Sequence, residues 1–210
     1  MAREPSAGRI CTVGHSNHLP ERLVELLLEH GIEVVVDVRS SPYARYATHF
    51  NREPLEEFLR TGGLKYLFLG DILGGRPEGH EFYDEQGHVL YDSLAASATF
   101  SAGVERLLRG VRVSSIALLC SEEDPAECHR RLLLGRVMSD RGVDVFHIRG
   151  DGRLQSESEL AEQLHFQKTK GQMTLFDREE PRQWRSTQSV LPKEPPASFS
   201  MPCEEPESDD

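Results

Sequence analysis

The segment 115-SIALLC-120 is a continuous apolar run with no alternation of polar and apolar residues. A strand with this pattern is buried on both faces, which is typical of a parallel sheet with helices on each side. The segment 33-EVVVDV-38 has the same character. Apolar runs of the same length at residues 9–14, 64–69 and 143–148 add three strands, of which the last ends the predicted sheet.

Helical segments lie between and after these strands. The apolar spacing and the Pro and Gly signals predict helices at residues 20–30, 54–60, 93–109, 128–141 and 157–166. Strands that alternate with helices predict a compact α/β fold of three layers, with a mostly parallel sheet and helices on both faces. In such a sheet, ligands bind beyond the carboxyl ends of the strands.

The composition changes near residue 170. Residues 171–210 hold six of the 12 prolines, nine acidic residues and four basic ones. They show no periodic apolar pattern, which predicts that the acidic end is solvated and disordered. We therefore predict one domain at residues 9–168 and a flexible, Pro-rich, acidic tail at residues 169–210.

Charge and composition exclude several classes of protein. A formal net charge of -11 argues against broad adhesion to nucleic acid or to an anionic membrane. No apolar run approaches the roughly 20 residues that span a bilayer, and the first nine residues are too short and polar for a secretory signal. Four cysteines in 210 residues do not form a disulfide scaffold. We expect a cytoplasmic protein with reduced thiols and no membrane partner.

Polar residues follow the first two strands at the edge where ligands bind. His15 is a candidate general acid or base, and Ser16 can cap a helix whose N–H groups hold an anion. Asp37 and Arg39 are two residues apart, so they face the same side of an extended chain. In one interpretation, Asp37 is an acid or base, and Arg39 and Ser40 bind an anionic group of the substrate. In the other, Asp37 caps a loop and Arg39 neutralises its charge.

The segment after the fourth predicted strand contains the largest group of candidate reactive residues. Cys120 ends the strand, Glu122 follows it as a candidate acid or base, and Cys128, His129 and Arg130 begin the next helix. A thiol at a helix start beside His and Arg is expected to have a lowered pKa. The cysteines are a redox couple, a nucleophile, metal ligands or packed residues without chemistry. Their spacing fits no common zinc pattern and no fourth ligand is evident, so we predict neither a metal nor another cofactor.

These motifs together resemble the DUF488 family. The resemblance lies in residues 12–16, 37–42, 66–75, 119–122 and 128–130, and it extends over roughly residues 9 to 165 in the expected order. It implies a compact α/β fold and this choice of site residues. Because the family is a domain of unknown function, the resemblance implies no reaction.

A weaker likeness is to rhodanese-like domains, in which a strand also ends in a cysteine before a loop and a helix. Here the loop at residues 121–127 is acidic and contains a proline. It would repel a sulfur anion or a phosphate, so sulfur transfer is a minor alternative.

Three functions follow from these candidates. The first is an enzyme that hydrolyses a nucleotide or nucleic-acid substrate or cleaves its glycosidic bond. In that enzyme Asp37 or Glu122 is the acid or base, Arg39 and Arg130 hold an anionic group, and residues 15–16 and 129 position it. The second is redox or sulfur chemistry at the cysteine pair. The third is a non-catalytic module that binds an anion or a partner.

A short apolar peptide in the tail suggests a partner. Gln172, Met173, Leu175 and Phe176 resemble the peptide by which bacterial replication and repair proteins dock on the DNA sliding clamp. The apolar side chains would fill pockets and the glutamine would add a directional hydrogen bond. The alternative is that Leu175 and Phe176 fold back onto their own domain. Docking on the clamp would connect the protein with DNA repair despite its negative charge.

Overall fold

The computed structural model describes residues 8–169 and 183–190. Its single sheet has six strands: β1 (Arg9–Gly14), β2 (Val34–Asp37), β3 (Lys65–Phe68), β4 (Ile116–Cys120), β5 (Asp144–Ile148) and β6 (Leu154–Ser156). The strand order is β3-β2-β4-β1-β5-β6. The first five strands pair in parallel, and β6 pairs antiparallel with β5. The predicted α/β fold with a mostly parallel sheet is confirmed.

Helices cover both faces of this sheet. They are α1 (Pro20–Glu29), α2 (Arg52–Thr61), α3 (Gly70–Leu73), α4 (Tyr91–Ala96), α5 (Ala98–Gly110), α6 (Arg136–Asp140) and α7 (Glu157–Thr169). A π-helical segment, Arg130–Gly135, leads into α6. Short 3-10 turns occur at Thr48–Phe50, His80–Phe82 and Pro125–Glu127.

Strand β4 lies at the centre of the sheet, and all five of its residues are buried. Its alternate side chains enter two separate cores. Leu118 packs in the core formed with α3, α4, α5 and α6, whereas Ala117 and Leu119 pack in the core formed with α1 and α2. This two-sided burial is the physical reason for the unbroken apolar run. It also brings the ends of β1 and β4 into register, because Gly14 is paired with Cys120.

The structure differs from the predicted elements in several places, including the following two. The predicted helix at residues 93–109 is two helices, because Ser97 has an extended backbone and accepts a hydrogen bond from the Phe100 N–H as the cap of α5. Strand β6 was not predicted, and residues 143–148 are therefore not the last strand. With only three residues, Leu154–Ser156 is too short to show an alternating pattern.

Residues 183–190 pack against the domain, although the sequence places them in the tail. The indole ring of Trp184 meets the ring of Tyr91 edge-on at 5.8 Å, and its Nε1 donates to the Leu132 carbonyl at 2.8 Å. The guanidinium of Arg136 lies 4.3 Å from the centre of the indole ring. The backbone N–H of Ser186 donates to the Val89 carbonyl. We call residues 183–190 the C-terminal strap.

Other parts of the predicted tail, including the peptide at residues 172–176, lie outside the described residues. Of the helices in the described part of the chain, none has the length and apolar character needed to cross a bilayer.

A buried histidine joins α7 to the sheet. The Nδ1 atom of His147 lies 2.9 Å from the Thr12 hydroxyl, and its Nε2 lies 2.9 Å from a Glu157 carboxylate oxygen. Arg131 donates to the same carboxylate at 3.0 Å. Burial lowers the pKa of His147, with Glu157 opposing this effect. Burial alone would raise the pKa of Glu157, but the bonds from His147 and Arg131 lower it.

We predict that acidification weakens the fold at this network. Below about pH 6.5 the unfolded chain binds a proton on His147 that the folded chain resists, so stability falls as pH falls. The lowered pKa of Glu157 also makes stability fall as pH falls, and this loss of stability begins near pH 4.3. His147→Gln should flatten the pH dependence of the unfolding free energy just below pH 6.5, by up to about 1.4 kcal/mol per pH unit. Urea unfolding at several pH values, with the exposed His49→Gln as control, checks this. An unchanged slope would contradict it.

Candidate functional site

A polar cleft lies where β2 and β4 end, and its volume is ≈ 430 Å³. From the sheet, Arg39, Ser40, Cys120 and Glu122 line it. The opposite wall includes side chains of the C-terminal strap, Ser186 and Gln188 among them. The cleft therefore occupies the place at which a parallel sheet binds ligands.

Two cysteines, a glutamate and a histidine form a cluster at this cleft. The Sγ atoms of Cys120 and Cys128 lie 2.9 Å and 3.2 Å from the same Glu122 carboxylate oxygen. The Nδ1 atom of His129 lies 3.7 Å from the sulfur of Cys120 and 3.9 Å from that of Cys128. Both cysteines are buried, at 3% and 2% exposure. We call these four residues the cysteine cluster.

The tautomer of His129 follows from its second contact. Its Nε2 lies 3.0 Å from the Val38 carbonyl oxygen, which can only accept a hydrogen bond. The Nε2 atom therefore carries a proton and donates it, so Nδ1, which faces the two sulfurs, is the nitrogen that binds or releases the second proton. Burial opposes the charged ring, but Cys120 and Glu122 raise the pKa of His129. Gly75 packs directly on the ring, because a Cβ at that position would lie 2.6 Å from His129 Cγ.

The cluster shares its protons unequally. A hydrogen bond from Cys128 and the nearby His129 lower the pKa of Cys120 to about 6, against the effect of burial. Burial and the neighbouring Cys120 raise the pKa of Cys128, contrary to the lowered pKa that the sequence predicts for a thiol at this helix start. Burial alone would raise the pKa of Glu122, but bonds from the two thiols and a backbone N–H lower it to about 2. At neutral pH, Glu122 is a carboxylate that can accept a proton.

Asp37 and Arg39 form a closed pair behind the cleft. Asp37 is fully buried and accepts bonds from Arg39 Nε at 2.9 Å and Nη2 at 2.6 Å, and from the Tyr66 hydroxyl at 2.7 Å. Arg39 Nη1 contacts the Phe50 carbonyl and His15 Nε2 at 2.9 Å and 3.2 Å. This geometry matches the alternative in which Arg39 neutralises Asp37. Their predicted roles as a base and an anion clamp gain no support from it.

His15 contacts Arg39 of this pair, and neither His15 nor Ser16 lines the cleft. The His15 ring stacks on Phe50 at 4.2 Å, and burial lowers its pKa to about 4. The backbone N–H groups of His15 and Ser16 donate to the carbonyls of Cys120 and Ser121, so they are not free for an anion. Ser16 does not cap α1, whose N-cap position is Leu19.

Arg130 is fully buried and supports the acidic loop from below. Its Nη1 donates to the carbonyl of Glu122, and its Nη2 donates to the carbonyl of Glu123 at 2.6 Å. These two hydrogen bonds hold the loop that carries Glu122 in position. The prediction that Arg130 binds substrate finds no support in these contacts.

The sequence thus predicted the four members of the cysteine cluster, and the structure brings them together. It also predicted Arg39 and Ser40, which line the cleft. Sequence reasoning missed Gly75 and the C-terminal strap. The segment 73-LGG-75 was recognised as a motif, but nothing in its spacing shows that it packs on a histidine 54 residues later.

Comparison with known proteins gives one match. A family model described as "Domain of unknown function DUF488" matches residues 20–137. No curated protein and no solved structure matches the chain. The weaker likeness to rhodanese-like domains is not shown.

We predict that Asp37 stabilises the fold rather than reacting. Asp37→Asn would leave the Arg39 guanidinium buried without its counter-charge, which should cost about 3–5 kcal/mol of unfolding free energy. Urea denaturation measures this, with the exposed Glu56→Gln as control. Near-wild-type stability in Asp37→Asn would contradict the structural role and return Asp37 to the list of reacting groups.

Proposed function

Since the chain belongs to the DUF488 family, a family whose description assigns no reaction, the activity has to be inferred from the cleft. We propose that the protein is an enzyme that hydrolyses a nucleotide or nucleic-acid substrate at the cysteine cluster. One observation carries this proposal: an ionised carboxylate, Glu122, lies against two thiols and a histidine at the wall of a polar cleft.

Hydrolysis needs a group that takes a proton from the attacking water. Glu122 is the best candidate, because it is ionised at neutral pH and lines the cleft. Asp37 is the weaker one, because its carboxylate already accepts bonds from Arg39 and Tyr66. The proposed reaction therefore uses one carboxylate, that of Glu122. The cysteines and His129 are the other polar groups beside it.

The dimensions and lining of the cleft support a nucleotide-sized substrate. Its volume of ≈ 430 Å³ is within the usual range for small-molecule sites. Tyr43 lines the cleft with its side chain 56% exposed, which suits stacking on a base. Arg76 is exposed at the same cleft and suits a phosphate. Ser40 adds a hydroxyl group that accepts from the Arg76 backbone N–H and can donate to a ribose or phosphate oxygen.

A redox couple is the second candidate, and the closeness of the thiols favours it. The donor atoms of Cys120, Cys128 and His129 lie within 4.8 Å of one another. A disulfide would require the sulfurs to move to about 2.05 Å. Alkylation of freshly lysed cells followed by mass spectrometry separates the two proposals. A mostly oxidised Cys120–Cys128 pair would favour redox chemistry, whereas free thiols favour hydrolysis.

We predict that Glu122→Gln abolishes hydrolysis while the fold survives. Loss of the proton acceptor should lower the rate by about 100-fold or more. The measurement is release of phosphate, free base or ammonia from nucleoside monophosphates, triphosphates and short single-stranded DNA. Glu123→Gln is the matched control, because Glu123 pairs with Arg149 instead of lining the cleft. Equal rates in the two variants, or no turnover of these probes by the wild-type protein, would contradict the proposal.

The connection with DNA rests on the peptide at residues 172–176, and we propose that it docks on the bacterial sliding clamp. Two described parts of the chain flank this peptide: α7, which ends at Thr169, and the C-terminal strap, which packs on the domain. A docked clamp would therefore stay within a short chain length of the cleft. Nothing in the reaction at the cysteine cluster requires this partner.

We predict micromolar binding of the full chain to purified clamp, which corresponds to about 8 kcal/mol. The Leu175→Ala, Phe176→Ala double variant should lose it, because the apolar contacts are gone. Surface plasmon resonance measures both proteins, with Leu28→Ala as a control at an exposed leucine on the domain. Failure of the wild-type chain to bind at hundreds of micromolar would remove the clamp proposal.

A further inference from the structure

The geometry points to a zinc site in the cysteine cluster: we infer that Cys120, Cys128 and His129 hold one Zn²⁺ and that Glu122 faces its open fourth position. The three ligand atoms lie within 4.8 Å of one another. The binding of zinc stands on this geometry alone. The role given to the open position rests on the proposed hydrolysis.

The distances agree with a tetrahedral ion. Zinc bonds of about 2.3 Å to sulfur and 2.0–2.1 Å to nitrogen place neighbouring S and N ligands roughly 3.6 Å apart. The His129 Nδ1 atom lies 3.7 Å and 3.9 Å from the two sulfurs. The two S–N separations therefore need shifts of only a few tenths of an ångström, and the two sulfurs lie within 4.8 Å of each other.

The surroundings of His129 are those of a metal ligand. Histidines that bind metals commonly donate their other ring N–H to a carboxylate or a backbone carbonyl, which fixes the tautomer and the ring orientation. His129 donates from Nε2 to the Val38 carbonyl at 3.0 Å. Gly75 leaves room for the ring on one side and limits its movement. The Nδ1 atom is thereby held toward the sulfurs.

The charges of the cluster also favour a soft divalent cation. The three proposed ligands are two cysteine sulfurs and an imidazole nitrogen, and such donors select zinc over calcium or magnesium. The carboxylate of Glu122 receives its side-chain hydrogen bonds from the two cysteines, which are weak donors. Two nearby arginines are bound elsewhere, Arg39 to Asp37 and Arg130 to backbone carbonyls. With both cysteines deprotonated and His129 neutral, the two thiolates would neutralise the charge of the ion.

Three protein ligands with an adjacent carboxylate distinguish a catalytic zinc site from a structural one, which has four. A water at the fourth position would lose a proton to Glu122, and its oxygen would bond to the electrophilic carbon or phosphorus of the substrate. Glu122 would then pass that proton to the leaving group as the old bond breaks. Electrons and protons balance, and no oxidant or reductant is consumed.

The test uses the full-length protein, reduced and then loaded with Zn²⁺. We expect one zinc per chain by elemental mass spectrometry after gel filtration. Cobalt in its place should give a thiolate-to-metal charge-transfer band. In the wild-type protein, zinc should protect Cys120 and Cys128 from alkylation, which requires no variant to fold.

Variants identify the ligands. Cys120→Ser, Cys128→Ser and His129→Ala should each weaken zinc binding at least tenfold in competition with a chromophoric chelator, with folding checked by circular dichroism. Gly75→Ala should weaken it by about 10-fold or more, because the new methyl group displaces the His129 ring. Cys11→Ala, in the core on the α1–α2 side of the sheet, and Glu122→Gln should keep the metal.

Three outcomes would overturn the inference: no zinc retained by the reduced protein, binding that survives all three ligand variants, or loss of zinc in Glu122→Gln, which would make Glu122 the fourth ligand. Zinc bound without turnover of the nucleotide probes would support the site and reject the proposed function. Turnover that persists after complete metal removal would reject the role given to the open position and leave the proposed function standing.

Discussion

The burial of the Arg130 charge is the constraint on which the site depends. A guanidinium with no exposed surface is costly unless protein atoms accept its hydrogen bonds. Arg130 donates from Nη1 and Nη2 to the carbonyls of Glu122 and Glu123, whereas its buried Nε has no hydrogen-bond partner among the described residues. The acidic loop is therefore drawn over the end of the sheet. Gly14 permits this approach, because a Cβ at that position would collide with the Glu122 carbonyl.

The remaining geometry follows from this anchored loop. With the carbonyls of residues 122 and 123 held below, the Glu122 carboxylate is left at the cleft beside both thiols. The π-helical segment begins at Arg130 itself, directly after Cys128 and His129. Such segments are often found at functional sites. One buried side chain thus fixes the positions of residues that precede it by one, two and eight positions.

The sequence predicts the fold better than it predicts the roles of charged residues. Unbroken apolar runs such as residues 115–120 identify a two-sided sheet, and the rule for strand ends then locates the cleft. The same reasoning cannot distinguish an arginine that binds substrate from one whose side chain bonds to other groups of the protein. Arg39 and Arg130 look alike in sequence, and their partners are set by the packing of Asp37 and of the acidic loop.

Long-range contacts explain the other omissions. The contact of Gly75 with the His129 ring joins residues 54 positions apart, and their spacing does not encode it. The C-terminal strap lies in a Pro-rich, acidic region whose composition indicates disorder. A single large residue overrides that composition, since Trp184 packs on Tyr91 and Arg136 and bonds to Leu132.

The C-terminal strap belongs to the predicted tail and lines the cleft at the cysteine cluster. Tyr91 packs on Trp184 and also lines the cleft, and Ser186 joins the strap to the backbone at Val89 while lining the same cleft. Part of the cleft lining is thus made by a segment that lies C-terminal to residues 172–176 in the sequence. The packing of Trp184 on Tyr91 therefore helps to hold that segment beside the cysteine cluster.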